Sequence, residues 1–197
     1  MLRFVRRMRI QTIVGLWVLA GAACLWAGET NAEQAIQRAR EAVRAAESQY
    51  GADHPATAMM MRELALAFEQ GGYHQYAEQF ATRAIESLEE RLGKDDFNLV
   101  PVLNVLAEAY ASEGRTSEAL RVEMRAVGIG PAAGRHYGTA LHNAAELLFR
   151  DGKLAQSEEL FARALAAREA TLPAGHPFIE ATREELQRVR RALQLAH

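Results

Sequence analysis

The sequence predicts an all-α protein in which antiparallel helix pairs stack into an α-α superhelix, and three observations lead to this fold class. Hydrophobic residues make up 49% of the 197 residues but aromatic residues only 7%. Much of the apolar content is Ala and Leu, which favours close-packed helices over a sheet. A segment that begins at Glu63 recurs 42 residues later, at Val105, and a third copy follows after a further 38 residues. Within the copies, apolar residues recur at positions i, i+3, i+4 and i+7, which is the spacing of one helix face.

Residues 1–27 have the features of a signal peptide or of a membrane anchor. Four arginines precede an uncharged and mostly apolar run at 10–28, and small residues lie near its end. Cleavage after Ala27 fits a signal peptide, whereas 19 uncharged residues are also long enough to span a bilayer. Both alternatives predict export, to a bacterial periplasm or cell envelope, with anchoring in the inner membrane in the second case. A eukaryotic secretory route also fits this segment.

Cys24 is the only cysteine of the chain, so no intrachain disulfide can form. Lipid modification is one interpretation of this residue, but Gly21 stands where a lipid-attachment motif usually has Leu. A small apolar residue within the signal segment is the favoured interpretation. Arg6 and Arg7 resemble a twin-arginine signal, although the pattern around them fits an ordinary signal better.

The charge of the chain argues against a general attraction to nucleic acid or anionic lipid. The formal net charge is −2, and without the four N-terminal arginines 19 basic residues stand against 25 acidic ones. A body with an acidic excess has no long-range attraction to phosphate groups. The basic residues near Arg188 are interspersed with Glu184 and Glu185, which indicates a solvated helix face. We therefore expect no nucleic-acid partner.

The repeat divides the region 32–197 into stacked units. We predict a half repeat at 32–53, full repeats at 55–93, 97–134 and 138–173, and a capping helix at 177–195.

Each full repeat is predicted to be a pair of helices joined by a tight turn. Gly72, Gly114 and Gly152 separate the two halves, where a left-handed backbone carries no penalty for glycine. The small residues Ala65 and Ala77 allow the two helices of a pair to approach closely. One pair cannot bury both of its faces, so the copies must stack into a solenoid.

Three segments and two connectors carry a family resemblance. The segments are LALAFEQGGYHQYAEQFATRAI, LAEAYASEGRTSEALRVEMRAV and AAELLFRDGKLAQSEELFARAL, and the connectors are GADHP and AGHPF. They resemble tetratricopeptide repeats in the longer, 42-residue form of kinesin-light-chain-like arrays. The resemblance extends over residues 32–177, although the usual Trp of the first helix is absent. Ser157 stands where the family has a near-invariant small residue.

The resemblance implies a concave groove, lined by the first helix of each repeat, that contacts peptides or partner helices. By register its residues are Arg62, Asn104 and His142, with Glu63 and Asn143 beside them and Glu108 and Glu146 one turn further. Asn104 and Asn143 resemble groove asparagines that hydrogen-bond an extended peptide, and an ordinary polar surface is the alternative for each residue. The basic clamp that some members use for a C-terminal carboxylate is not reproduced, because only Arg62 is basic.

The remaining motifs do not support catalysis. The glycine-rich stretch GIGPAAGRHYG follows a predicted helix, whereas a dinucleotide-binding loop follows a strand, so we interpret it as a connector. His54 and His176 each precede a proline, which predicts helix starts rather than metal ligands. No nucleophile elbow, phosphate loop or zinc-protease motif is present. We expect neither enzymatic activity nor a metal or cofactor.

The sequence therefore predicts an exported module that binds a protein or peptide in its concave groove. The alternative is a structural subunit that attaches to the membrane or self-associates within a cell-envelope complex. Concentration-dependent self-association without an external ligand would favour the alternative.

Overall fold

The computed structural model describes residues 31–195, and the predicted signal or anchor segment lies outside this range. The described part contains eight α-helices and no strand, which confirms the all-α fold class. No helix in this part is both long and apolar enough to cross a membrane. The helices are α1 (residues 31–50), α2 (Pro55–Gln70), α3 (His74–Leu92), α4 (Val100–Ser112), α5 (Thr116–Ile129), α6 (Arg135–Arg150), α7 (Leu154–Thr171) and α8 (Pro177–Leu195).

The helices pair as antiparallel hairpins that stack in chain order. The most extensive packing lies within the pairs α2/α3, α4/α5 and α6/α7, and each pair also contacts the next. The first helices α2, α4 and α6 additionally pack side by side. This arrangement is the predicted superhelix, with the first helices forming one continuous surface.

Small residues form much of the interface between the paired helices. Ala65 of α2 and Ala77, Ala81 and Ala84 of α3 have no exposed surface. Larger side chains such as Met61 fill the space beside them, so the helix axes can lie close together without leaving voids. The predicted packing positions are therefore buried core positions.

The turns within the hairpins all end the first helix in the same way. In the second hairpin, Gly114 has φ +77°, its N–H donates to the carbonyl of Ala111, and the N–H of Arg115 donates to the carbonyl of Tyr110. Gly72 and Gly152 form the same pair of hydrogen bonds. This is a Schellman motif, in which glycine takes the left-handed position and two terminal carbonyls are satisfied.

Ser157 is the residue that departs from the small apolar pattern. It is completely buried in α7, and its hydroxyl donates to the carbonyl of Ala145 in α6 at 2.7 Å. The hydrogen bond satisfies the buried hydroxyl, so Ser157 keeps the close helix approach that an alanine would allow.

The two His-Pro pairs mark helix starts. The Nδ1 atom of His54 accepts from the N–H of Ala56 at 3.1 Å, and Nδ1 of His176 accepts from the N–H of Phe178 at 3.2 Å. A proline follows each histidine at the first helical position. Both histidines therefore have the structural role that the sequence predicted.

The glycine-rich stretch forms the connector between the second and third hairpins. After α5 ends, a 3₁₀ turn at Pro131–Ala133 lies between Gly130 and Gly134, both of which have positive φ. The stretch follows a helix, so it does not have the strand-loop-helix form of a phosphate-binding loop. It joins the two hairpins where the repeat spacing shortens.

Both ends of the described solenoid are covered by an amphipathic helix. At one end α1 buries Ile36 and Val43 against the first hairpin, and its Glu47 pairs with Arg83 at 3.2 Å. At the other end α8 buries Leu186 and Val189 against α7. The charged faces of these helices remain exposed to solvent.

We expect Gly114→Ala to destabilise the protein by about 1–2 kcal/mol, because an L side chain must then adopt the left-handed conformation. Gly128 is the matched control, since it lies inside α5 and a Cβ added there would meet no atom within 4 Å. Gly128→Ala should stabilise by up to about 1 kcal/mol. Urea denaturation followed by circular dichroism measures both values, and two changes of the same sign would contradict the turn assignment.

Candidate functional site

A groove lies between α4, α6 and the start of α8, with a volume of about 670 Å³. We call it the α4–α6 groove. Its lining includes Ala107, Glu108, Ala111 and Ser112 of α4, Glu123 of α5, His142, Asn143, Glu146 and Arg150 of α6, Arg168 of α7 and Phe178 of α8.

Four of the six predicted partner-binding residues line this groove. Glu108 lies on the α4 wall, and His142, Asn143 and Glu146 lie on the α6 wall. Glu146 forms an ion pair with Arg150 one turn further along the same helix. The register of the repeats thus brings residues from distant parts of the chain to opposite walls of one groove.

The other two predicted residues lie elsewhere on the same surface. Asn104 is buried, and its Nδ2 donates to the main-chain carbonyl of His136 at 3.1 Å. Arg62 pairs with the neighbouring Glu63, and burial together with the charge of Arg135 lowers the pKa of Arg62. Asn104 therefore connects α4 to α6 in this structure and does not present its amide donor to the groove.

Glu123 is a groove residue that the sequence analysis did not identify. It projects from α5, is 1% exposed, and its Oε1 accepts from Nδ2 of Asn143 at 2.7 Å. Its Oε2 is buried without a hydrogen-bond partner among residues 31–195. Burial raises the pKa of Glu123 well above its ordinary value, and the charge of Glu108 adds to this, whereas the Asn143 hydrogen bond opposes it.

Glu69 extends the acidic side of the groove toward α2. It is 7% exposed and accepts from the hydroxyl of Ser112 at 2.6 Å and from Nδ1 of His74 at 2.8 Å. Glu108 keeps solvent contact at the groove, but partial burial and then the charge of Glu69 raise its pKa. Three carboxyl groups from three helices thus lie close enough to influence one another.

Arg168 occupies the opposite side of the groove and was also not identified. It is 5% exposed, and its Nη1 donates to the carbonyl of Phe178 at 2.9 Å and to the hydroxyl of Thr182. Gly138 leaves room for its stem, since a Cβ there would lie 3.0 Å from Cγ of Arg168. Burial lowers the pKa of Arg168 to about 10.

His142 is buried beside this arginine, and both its burial and the arginine charge favour its neutral form. Its Nδ1 lies 3.3 Å from Nη1 of Arg168, and because a guanidinium can only donate, Nδ1 must accept and Nε2 carries the proton. The ring also packs edge-on against Phe161, with centroids 5.2 Å apart. Burial, followed by the charge of Arg168, lowers the pKa of His142 to about 4.

A signal for both missed residues exists in the repeat register. Glu123 stands nine residues after its turn glycine, where the other two repeats have the buried residues Ala81 and Phe161. Arg168 stands sixteen residues after its turn glycine, where the first repeat has the buried Leu88. A charged residue at a core position of a repeat is expensive to bury, so it marks a site that warrants a functional explanation.

The described residues contain no group of three or more His, Cys, Asp or Glu side chains that could hold a metal ion.

Two family models with the description tetratricopeptide repeat match the chain, at residues 15–90 and 138–178. The first match begins inside the predicted signal or anchor segment. No curated protein matches the chain.

Solved structures share the fold. The nearly identical TPR-like repeats of a Podosopora anserina protein described as a kinesin light chain are 22% identical, with 87% of each chain covered and a TM-score of 0.59. BtubC (BKLC) from P. vanneervenii is 16% identical, covers 86% of this chain and 92% of its own, and has a TM-score of 0.56. At these identities the likeness concerns the fold alone.

We expect Glu123→Gln to be more stable than the wild type at neutral pH. The raised pKa means that ionising Glu123 costs folding free energy, so the wild type loses stability as pH rises above about 4.3, the ordinary value for Glu. Gln resembles the neutral acid and does not titrate. The melting temperatures of the wild type and of Glu123→Gln, measured from pH 4 to pH 8, should therefore diverge as pH rises. The exposed Glu90→Gln variant is the control, and a pH-independent difference for Glu123→Gln would contradict the assignment.

We expect His142→Asn to remove a second pH dependence of stability, which is opposite in sign to that of Glu123. Because the pKa of His142 is lowered, the stability that its neutral form contributes is fully present above about pH 6.5 and is lost as pH falls toward 4. The wild type should lose roughly 2 kcal/mol more than the variant between pH 7 and pH 4.5. Urea denaturation at the two pH values measures the difference, and equal losses would show that His142 does not titrate as described.

Proposed function

Because the chain carries tetratricopeptide repeats, we propose that it is a non-catalytic interaction module that binds an extended segment of a protein partner in the α4–α6 groove. Tetratricopeptide repeats generally mediate protein–protein interactions, and proteins built from them are typically scaffolds without chemistry of their own. The finer part of the proposal is the place of binding. It is carried by one observation: an open groove whose walls present unused polar groups next to an exposed aromatic ring.

The polar groups suit the backbone of an extended peptide. Nε2–H of His142 is a donor, and the hydroxyl oxygen of Ser112 is an acceptor on the opposite wall. Asn143 keeps its carbonyl oxygen as an acceptor while its amide donates to Glu123. Donors and acceptors on both walls can satisfy the backbone groups of a bound strand-like segment, which would otherwise be costly to bury.

The apolar part of the groove supplies contact area. Phe178 is 56% exposed at the rim, and the guanidinium carbon of Arg168 lies 5.4 Å from its ring centroid. Ala107 and Ala111 leave the α4 wall low enough for a ligand side chain to enter. Aromatic and arginine side chains contribute much of the binding energy in protein interfaces, so this rim is where we place the main contacts.

One group of polar residues at the edge of the groove lacks the order of a nucleophilic triad. Ser112, Glu69 and His74 are linked by hydrogen bonds, but the carboxylate lies in the middle. His74 therefore does not contact the serine hydroxyl and cannot take its proton, as a nucleophilic triad requires. This geometry supports binding as the proposed role of the groove.

The proposal extends to location and to assembly. The basic start and apolar run of residues 1–28 support export to a periplasm or cell envelope, with the segment either cleaved or kept as an anchor. A structural subunit that self-associates is the competing function, and peptide selection separates the two.

Selection of peptides from a random display library on the full-length chain, kept in mild detergent, tests the proposal. We expect selected peptides to bind with micromolar affinity, and Ala111→Trp to weaken them at least about tenfold because it fills the groove. Ala155→Trp, on the exposed face of α7, is the matched control and should not change binding. Selected peptides that bind Ala111→Trp as tightly as the wild type would show that the binding site lies outside the groove. Self-association without any selected peptide would favour the structural alternative.

A further inference from the structure

Two carboxyl groups on the acidic side of the α4–α6 groove lack a basic partner among residues 31–195. Glu69, Glu108 and Glu123 come from α2, α4 and α5, and the charges of Glu69 and Glu108 act on their neighbours in this row. Neither Glu108 nor Glu123 has an ion-pair partner in the part of the chain that the structure describes. A row of carboxyl groups without a counter-ion is unfavourable, so its presence in a groove needs an explanation.

Glu123 supplies the second, independent observation. Its carboxyl group is almost completely buried, and one oxygen has no partner among the described residues while the other is held by Asn143. In the other repeats the same register position carries Ala or Phe, both of which pack without a polar group to satisfy. The carboxyl group thus gains nothing for folding, which indicates that its use lies in binding.

We propose that the α4–α6 groove binds a peptide segment that carries an arginine, whose guanidinium pairs with Glu123 and Glu108. This inference rests on the proposed peptide-binding function and names the chemistry of its ligand. Guanidinium has five donors in a planar fork, so it can satisfy the unused oxygen of Glu123 and reach the second carboxylate at the same time. Because the Glu123 oxygen is shielded from solvent, binding requires side chains at the groove floor to shift.

The arginines that line the groove, and His74 beside it, have other partners. Arg150 is paired with Glu146, and Arg168 is bound to Phe178 and Thr182 and faces His142. His74 is bound to Glu69. These contacts leave Glu108 and Glu123 without an ion-pair partner among the described residues. Arg168 on the α8 side gives the groove a basic end opposite its acidic one. The polarity sets the direction in which we expect the arginine of a ligand to point, toward α4 and α5.

A small-molecule titration tests the arginine site without a known partner. The probe is N-acetylarginine amide, and N-acetylcitrulline amide is the matched neutral control. We expect N-acetylarginine amide to bind with a dissociation constant on the order of millimolar, as is usual for so small a ligand. Binding is measured by NMR as a chemical-shift change of the Asn143 side-chain amide. Citrulline should give no shift, and Glu123→Gln should abolish the arginine shift, while Glu90→Gln should retain it.

A second arm uses the peptides selected on the full-length chain. We expect them to share an arginine, and its replacement by citrulline to weaken binding to the wild type about tenfold but to change binding to Glu123→Gln little. Binding should also release protons, because the bound cation favours ionised Glu123, and calorimetry in buffers of different ionisation enthalpy measures this release.

The outcomes separate the two proposals. Groove-dependent peptides that lack arginine and bind Glu123→Gln equally well would overturn the arginine inference and leave peptide binding intact. An arginine shift on Asn143 without any groove-dependent peptide would support the cation site and count against the peptide function. Absence of both would overturn both.

Discussion

The close approach of the paired helices is the constraint on which the rest of this structure depends. Fully buried alanines such as Ala65, Ala77 and Ala84 let the two helices of a hairpin lie against each other, and Ser157 does the same in the last hairpin with its hydroxyl satisfied. Left-handed glycines then return the chain after a turn of fixed shape. Because every hairpin is built in the same way, the first helices are brought side by side and form one continuous surface.

The groove forms where this regular packing is interrupted. Glu123 and Arg168 occupy positions that are apolar and buried in another repeat, so each carries a desolvation cost that Ala81 or Leu88 does not. Each is partly compensated by polar neighbours from the adjacent hairpin or helix, Asn143 in one case and Thr182 in the other. The second helices α5 and α7 thus contribute residues to a surface that first helices usually form. Burying charged groups at two core positions lowers the stability of the fold, and it gives the groove an acidic side and a basic side.

The predicted partner-binding residues divide according to a physical difference. The family resemblance placed Glu108, His142, Asn143 and Glu146 at the groove through the helical register, which three copies of the repeat share. Asn104 follows the same register but is covered, since the carbonyl of His136 at the start of α6 lies within hydrogen-bonding distance. That contact depends on the irregular connector after α5, where the repeat spacing changes, and a repeat pattern contains no information about such a junction.

The sequence by itself determined the fold class, the hairpin turns and the residues of the close helix contacts, because these follow from local spacing and from the steric limits of single residues. Only the tertiary structure decided which polar groups are left without partners, since burial and hydrogen bonding depend on helices that are distant in the chain. His142 shows this most directly: its burial, and then the guanidinium of Arg168 that Phe178 and Thr182 of α8 hold beside it, lower its pKa. No spacing within α6 specifies that contact, because it arises only when three helices pack together.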